Sequence, residues 1–316
     1  MTILHSSKLT VTLLMLAYRA TTGFHLSPLL TECKPVRTFL AAQEYGQGMD
    51  QDAMMESDML IVVNENDVVV NDVVVSKKDA HSFNVNQPRG VAHRAFSFFI
   101  FNKNKELLLT RRAASKITFP GVWTNTACSH PLYGMTPNEV DEVPAAYPNF
   151  PGAKHAAIRK LKHELGIDPK YVPHNEIQFV SRFHYWAADT KTYGSETPWG
   201  EHEVDYVFFL HCKDEDPVVV ANPEEVDEVR YVSIDGLKDM FTDSSLLWSP
   251  WFRGIMDAGG FDWWQDLENT MAGKNTDSAV HFFDPPAEHF ARYNDKSHIR
   301  TTGVMSADVV PEPMKN

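Results

Sequence analysis

The chain has 316 residues, of which 43% are hydrophobic and 22% charged, and its formal net charge is −13 at pH 7. This length allows one large domain or two ordinary ones, and the composition is that of a globular protein. The acidic balance argues against broad binding to nucleic acid or to anionic membranes, although it allows a local basic site and metals. Cys33, Cys128 and Cys212 form no CxxC pair, which excludes a disulfide framework and leaves at least one thiol free.

Residues 1–55 are predicted to be a targeting leader and a linker. An apolar run at residues 9–17 follows Lys8, and a run of roughly 7–15 residues suits a signal-peptide core and is too short to span a bilayer. Arg19 and the lack of an acidic residue before Glu32 are typical of an organelle presequence. We expect a cleaved leader that directs the chain to a plastid, with mitochondrion or cytoplasm as alternatives, and no stable membrane insertion of the mature protein.

Residues 56–271 are predicted to form one catalytic domain. Its predicted strands cover residues 59–63, 68–75, 95–101, 106–110, 177–185, 203–212 and 226–232. Polar turns at 64–67 and 102–105 make hairpins of the first four strands. Strands outnumber helices, which indicates an α/β sandwich with the sheet covered by helices.

The predicted helices follow a long loop. Residues 153–165 show helical spacing, with Leu161 and Leu165 on one face and Gly166 as the stop. Two further helices are expected around 234–241 and 251–267. Residues 272–316 mix Asp, Pro, Lys and Asn without periodicity, and we expect a loosely structured tail.

Reactive residue types are most concentrated at residues 118–131. Cys128 precedes His130 by two positions in a loop bounded by Gly and Pro. A thiol near a metal-bound histidine or a cation can ionise and act as an acid or base. For an isolated pair, a packed cysteine beside a loop histidine is the simpler interpretation.

A second group combines carboxylates with histidines. Glu201 and Glu203 are two positions apart and project to one face of a strand. On a buried face they would repel each other unless a cation lay between them, whereas at a solvated strand end they would need none. With His81, His93 and His130 they form a set that suits zinc, manganese or iron. Chance is the alternative, because the chain has 14 histidines.

The end of the helix, residues 159–167, resembles the end of a Nudix box, in which helix glutamates hold magnesium against a diphosphate. Only Glu164 remains of those glutamates, and Lys160 and His163 occupy other places. Magnesium binds through few carboxylates plus phosphate oxygens, so one glutamate can suffice. The missing carboxylates argue against ordinary Nudix hydrolysis.

Together these features resemble the type I isopentenyl-diphosphate isomerase family over roughly residues 58–271. The matching segments are residues 93–97, 111–112, 124–131, 163–166, 199–203 and 249–251. The resemblance implies a Nudix-like α/β/α sandwich with a mixed β-sheet. It also implies an isomerase of isoprenoid biosynthesis that interconverts isopentenyl and dimethylallyl diphosphate through a carbocation. We expect a monomer.

The resemblance further implies roles for single residues. Cys128 and Glu203 would transfer protons, Tyr185 would orient the glutamate, and Trp251 would face the carbocation. The implied ligands of a Zn²⁺ or Mn²⁺ ion are His81, His93, His130, Glu201 and Glu203. Glu164 and the main-chain carbonyl of Cys128 would hold Mg²⁺. The implied contacts of the diphosphate are Lys77, Arg112 and Lys116.

Two rival functions remain open at this point. A Nudix-type diphosphate hydrolase would require a fuller set of helix glutamates than Glu164 alone. A non-catalytic binding module would tolerate the loss of metal ligands or of Cys128, yet every matching position carries a competent residue.

Overall fold

The computed structural model of the chain describes residues 45–84, 86–142, 150–282 and 303–304. The chain divides into two units, Met1–Gln43 and Glu44–Asn316. The first unit, and with it most of the predicted leader, lies outside the described residues, as does most of the predicted tail.

Eleven strands within the described residues form one sheet. In chain order they are Met59–Val63 (β1), Val69–Ser76 (β2), His93–Phe101 (β3), Leu107–Arg112 (β4), Trp123–Thr124 (β5), Ala127–Ser129 (β6), Gln178–Ala188 (β7), Gly200–His211 (β8), Val226–Val232 (β9), Val280–Phe282 (β10) and Gly303–Val304 (β11). All seven predicted strands are confirmed, with ends that shift by a few residues.

The described helices are mostly short. They are Gln51–Ser57 (α1), Lys77–His81 (α2), Pro151–Leu165 (α3), Thr190–Tyr193 (α4), Ile234–Thr242 (α5), Pro250–Ile255 (α6), Phe261–Gln265 (α7) and Leu267–Met271 (α8), with a 3-10 turn at Pro169–Tyr171 and a π turn at Met256–Gly260. None of them is long and apolar enough to cross a membrane.

β3 is the centre of the sheet. β8 runs parallel to it and pairs with every one of its residues. Along the other edge of β3, β1, β6 and β4 pair in turn, all antiparallel. β7 pairs antiparallel with the far edge of β8. The sheet is therefore mixed, as the resemblance implies.

Apolar residues cover both faces of the central strands, because side chains alternate across a strand. Phe96 and Phe208 pack with Leu161 of α3 on one face. Phe99 packs with Phe252 of α6 on the other. The expected sandwich follows, with helices on both sides of the sheet.

Helix α3 has well-defined ends. The Oδ1 and Oδ2 atoms of Asp141 accept hydrogen bonds from the amides of Gly152 and Ala153, at 2.9 and 3.1 Å. At the other end Gly166 adopts a left-handed conformation with φ of 60°, which a glycine adopts without a steric penalty. The predicted stop at Gly166 is confirmed.

Several elements were not expected from the sequence. α1 begins in the predicted linker and ends in the predicted catalytic domain, and α2 follows β2 directly. The single helix expected over 251–267 is divided at Gly259, where φ is 149°. β10 lies in the predicted loose tail, yet it pairs in parallel with β7.

Candidate active site

Glu203 lies at the centre of the site because of sheet register. His93 is its pairing partner on β3, and Tyr185 is its partner on β7. These three side chains are thus lateral neighbours on one face of the sheet. Both Glu203 and Tyr185 are buried.

Five predicted ligands converge beside Glu203. The candidate ligand atoms of the group lie within 4.8 Å of one another, and all five residues are buried: His81, His93, His130, Glu201 and Glu203. The three imidazole rings have centroid separations of 4.8 to 5.0 Å. We call this set the His/Glu group.

His81 and His93 present lone pairs to the centre of the group. Nδ1 of His81 lies 2.6 Å from the carbonyl oxygen of Lys77, and Nδ1 of His93 lies 2.8 Å from that of Val91. A carbonyl can only accept, so each Nδ1 carries the proton and each Nε2 keeps a lone pair. Neither Nε2 makes a hydrogen bond.

This arrangement fits a bound cation. The Nε2 atom of His81 approaches Oε2 of Glu201 to 2.7 Å, although neither atom has a hydrogen bond. Two lone pairs so close repel each other unless a cation lies between them. Burial holds the pKa of His130 well below its usual value, so this ring stays neutral. The donor set is thus able to hold a metal ion.

Both oxygens of Glu203 are engaged. Nε2 of His130 lies 2.9 Å from Oε1, and the Tyr185 hydroxyl donates to Oε2 at 2.6 Å. Burial alone would raise the pKa of Glu203, but the adjacent His93 and the hydrogen bond from Tyr185 hold it below its usual value. The carboxylate is therefore ionised and fixed in orientation.

Cys128 faces the same cavity as Glu203. It lies on β6 opposite Ser97 of β3. Its Sγ is 3.8 Å from Nη1 of Arg112 and 3.9 Å from Oγ1 of Thr124. Burial raises the pKa of the thiol to about 12, although Arg112 opposes the shift. The thiol is protonated at neutral pH.

Three cations line the cavity beside the thiol. They are Lys77, Arg112 and Lys116, and we call them the cationic wall. Arg112 is held by the carbonyls of Phe119 and Thr118, at 3.0 and 2.7 Å. Burial and the nearby charge of Lys116 lower the pKa of Lys77 to about 8. A wall of this kind can bind a small polyanion.

Trp251 closes the cavity with an aromatic face. It is buried and is the second residue of α6, directly after Pro250. The guanidinium carbon of Arg112 lies 5.6 Å from its ring centroid, and the Tyr185 ring lies 6.4 Å away. An indole face stabilises positive charge.

Glu164 lies apart from the His/Glu group. Its Oε1 is 3.0 Å from Nζ of Lys160, one turn earlier on α3. It belongs neither to the five converging residues nor to the lining of the cavity. The predicted magnesium site at Glu164 therefore stays a prediction.

Three charged residues near the site have no role assigned to them from the sequence. Asp205 continues the Glu201 and Glu203 series on β8 and accepts a hydrogen bond from Ser97 at 2.7 Å, so its spacing could have revealed it. Lys160 and Glu225 are buried beside the cationic wall. No local pattern marks Glu225, because it meets its partners only in the folded chain.

The chain is similar to a known domain family and to several named proteins. The NUDIX domain family matches residues 91–252. That match and the fold place the chain in the Nudix class. Proteins named isopentenyl-diphosphate delta-isomerase are similar over most of the chain. The one from Schizosaccharomyces pombe is 41% identical over 77% of this chain and 98% of its own length. That from Candida albicans is 42% identical over 71% of this chain and 78% of its own.

A plant protein named isopentenyl-diphosphate Delta-isomerase 1, chloroplastic, from Cannabis sativa, is 39% identical over 77% of this chain and 80% of its own. The chain belongs to the isopentenyl-diphosphate delta-isomerase family. Among solved structures, DR0079 from Deinococcus radiodurans aligns with a TM-score of 0.41 and 16% identity over 63% of this chain and 98% of its own.

Proposed function

We propose that the protein interconverts isopentenyl diphosphate and dimethylallyl diphosphate. The observation that carries this proposal is one cavity lined by a thiol, a fixed carboxylate and three cations. A Nudix hydrolase is disfavoured because the single helix glutamate, Glu164, is paired with Lys160. The relatives' names support the isomerase over the hydrolase.

The reaction requires one proton donor and one proton acceptor. A proton adds to the terminal carbon of the double bond, which leaves a tertiary carbocation, and the neighbouring carbon then loses a proton to form the new double bond. We assign these transfers to Cys128 and Glu203, which both line the cavity and are side chains of acid/base type. Tyr185 fixes Oε2 of Glu203 during the transfer.

The carbocation must be shielded from water and stabilised. Trp251 is buried and lines the cavity, and a desolvated indole face contributes about 2 kcal/mol to binding a cation. The cationic wall would hold the diphosphate, so that the alkene lies between Cys128 and Glu203. Fixing the substrate in one orientation lowers the barrier further.

Two metal sites belong to the proposal. The His/Glu group would hold Zn²⁺ or Mn²⁺, since its nitrogen and oxygen donors suit these ions. Glu164 and the carbonyl of Cys128 would hold Mg²⁺ together with the diphosphate. When bound, these ions supply positive charge that keeps Glu203 ionised and neutralises the diphosphate.

The leader and the assembly state complete the proposal. We assign residues 1–55 to a targeting leader and a linker. The leader, residues 1 to about 25, would be cleaved and would direct the chain to a plastid, and the chloroplastic relative supports this destination. We expect the mature protein to be a monomer. Fusion of residues 1–55 to a fluorescent protein tests the destination, and a diffuse cytosolic signal would contradict it.

Isotope exchange tests the proposed reaction directly. Purified protein incubated with isopentenyl diphosphate in deuterium oxide should give dimethylallyl diphosphate that contains deuterium, without release of phosphate. Phosphate release without isotope incorporation would favour the hydrolase. Neither product would favour the binding module.

A further inference from the structure

A buried carboxylate lies behind the cationic wall. Glu225 is 2% exposed and does not line the cavity. Its Oε2 is 2.5 Å from Nζ of Lys116, and its Oε1 is 3.7 Å from Nζ of Lys160. Nε2 of Gln51 donates to Oε1 at 3.2 Å. Donors from α1, from α3 and from the loop after β4 thus meet at one carboxylate.

The main chain fixes Glu225 in this place. Its amide donates to the carbonyl of Asn222 at 2.9 Å, and its carbonyl accepts from the amide of Ala113 at 3.0 Å. The amide of Asn222 donates to the carbonyl of Glu164 at 2.8 Å. The turn is therefore tied both to the end of β4 and to α3, and the carboxylate has little freedom to move.

We propose that Glu225 is a positioning residue, which holds the ammonium group of Lys116 at the cavity so that it is ready to bind a diphosphate. This inference rests on the proposed function and deepens it. Lysine has a flexible stem, and its charge is a point without directional preference. A partner that fixes the stem before binding reduces the entropy lost when the ligand arrives.

The positive charges of Lys116 and Lys160 also require a negatively charged group at the position of Glu225. Lys116 and Lys160 are both buried, and their ammonium groups flank the same carboxylate. Like charges repel in a site with little water, and a carboxylate between them offsets the repulsion. Lys116 alone of this pair lines the cavity, so it can turn one face to Glu225 and another to a ligand.

Removal of the carboxylate has two opposing consequences. Removal of one negative charge strengthens the electrostatic attraction of the cavity for an anion. Loss of the Glu225 carboxylate also leaves the Lys116 side chain free to move away from the cavity. The proposal requires that the second effect be the larger. Affinity for a diphosphate should therefore fall when Glu225 loses its charge.

The test measures binding of inorganic pyrophosphate by calorimetry, in the presence of Mg²⁺. Glu225→Gln should weaken binding by roughly 10- to 100-fold, the factor expected for one hydrogen bond to a charged group. Glu224→Gln is the matched control, because Glu224 is the exposed neighbour and the change of charge is identical. An affinity of Glu225→Gln that equals or exceeds that of the control overturns the proposal.

Two further variants separate positioning from a structural role. Glu225→Asp keeps the charge, but its side chain is one methylene shorter, so its affinity for pyrophosphate should lie between those of the wild type and of Glu225→Gln. If Glu225→Gln fails to fold, Glu225→Asp should still bind pyrophosphate more weakly than the wild type. Wild-type affinity in folded Glu225→Asp would overturn the proposal. In a Lys116→Gln background, Glu225→Gln should weaken binding little further, and an undiminished effect would show that Glu225 does not act through Lys116.

Turnover gives an independent readout. Glu225→Gln should raise KM more than it lowers kcat, whereas partial unfolding would lower kcat alone. Isotope exchange by the wild-type protein tests the proposed function, and pyrophosphate affinity of the variants tests this inference. If the wild type fails to exchange, the proposed function is wrong; if it exchanges but the variants bind normally, only the inference is wrong.

Discussion

Two buried polar clusters lie on opposite faces of the same strands. His93 and Arg94 are neighbours on β3, and their side chains point to different faces. Arg94 binds the carboxylate and carbonyl of Asp67, at 2.9 and 3.1 Å, and the carbonyl of Asp141 at 2.8 Å. Arg182 donates to Asp67 at 2.6 Å, and the Tyr206 hydroxyl donates to it as well. We call this set the Asp67 cluster.

The clusters differ in how their polar atoms are satisfied. In the Asp67 cluster no buried side-chain nitrogen or oxygen lacks a hydrogen bond, whereas His81, His93 and Glu201 each have such an atom in the His/Glu group. Buried polar groups are normally paired, and an exception requires an explanation. The Asp67 cluster is complete within the chain, and the His/Glu group requires a partner from outside. From this contrast we expect the first to stabilise the fold and the second to serve the proposed reaction.

Removal of metal should have the largest effect. Protein dialysed against a chelator should lose all measurable isomerase activity and regain it with a divalent ion, because the His/Glu group is incomplete without a cation. Far-ultraviolet circular dichroism should show an intact fold, since the Asp67 cluster does not involve the metal. Full activity of protein shown to contain no metal would contradict this prediction.

Loss of either proposed proton-transfer group should have the second-largest effect on activity. Cys128→Ala and Glu203→Gln should each lower kcat by at least ~100-fold, the usual scale for an acid/base residue. The measurement is turnover of isopentenyl diphosphate by folded, purified protein. Cys212→Ala is the control, because Cys212 lies outside the cavity. Near-normal turnover in either variant would remove that residue from the mechanism.

A substitution in the Asp67 cluster should lower the stability of the protein and leave its turnover nearly unchanged. Asp67→Asn leaves the buried Arg94 without its counter-charge and should cost about 3–5 kcal/mol of unfolding free energy. Urea denaturation measures this change, and kcat per folded molecule should stay near the wild-type value. Glu56→Gln alters an exposed ion pair and should leave the midpoint unchanged. A large fall in kcat without loss of stability would assign Asp67 to the site.

Substitution of Tyr185 should give the smallest effect. It also tests whether this buried tyrosine serves the active site or only the scaffold. Tyr185→Phe removes the hydroxyl that donates to Glu203 and keeps the ring, so kcat should fall about tenfold. Tyr171→Phe, which alters a hydroxyl bonded to Glu215 at 3.3 Å, is the matched control. A loss of stability with unchanged kcat would place Tyr185 in the scaffold.

Strong local signals made much of the fold predictable. The β-branched and aromatic runs of β1, β3 and β9 and the helix ending at Gly166 mark their elements directly. α2 carried a signal that was missed, since Ser76 accepts from the amide of Asp79 at 3.1 Å and caps the helix. β10 could not be predicted, because a strand of three residues depends on its pairing with β7.

The candidate site was predictable where residue types repeat a known pattern. The five residues of the His/Glu group were selected from the sequence, and the fold brings them together. Glu225 was not selected, because its contacts with Lys116 and Gln51 join residues more than a hundred positions apart in the chain. Pairings of this kind follow from the path of the folded chain and leave no trace in spacing.

Because His93 and Arg94 are adjacent, both clusters form only when β3 and β8 pair in one particular register. A slip by one residue would turn the imidazole toward Asp67 and the guanidinium toward the metal ligands, so both clusters would fail at once. The two clusters therefore form only in the same register of β3 and β8. An insertion or deletion within residues 93–101 should accordingly be far more damaging than any single substitution there.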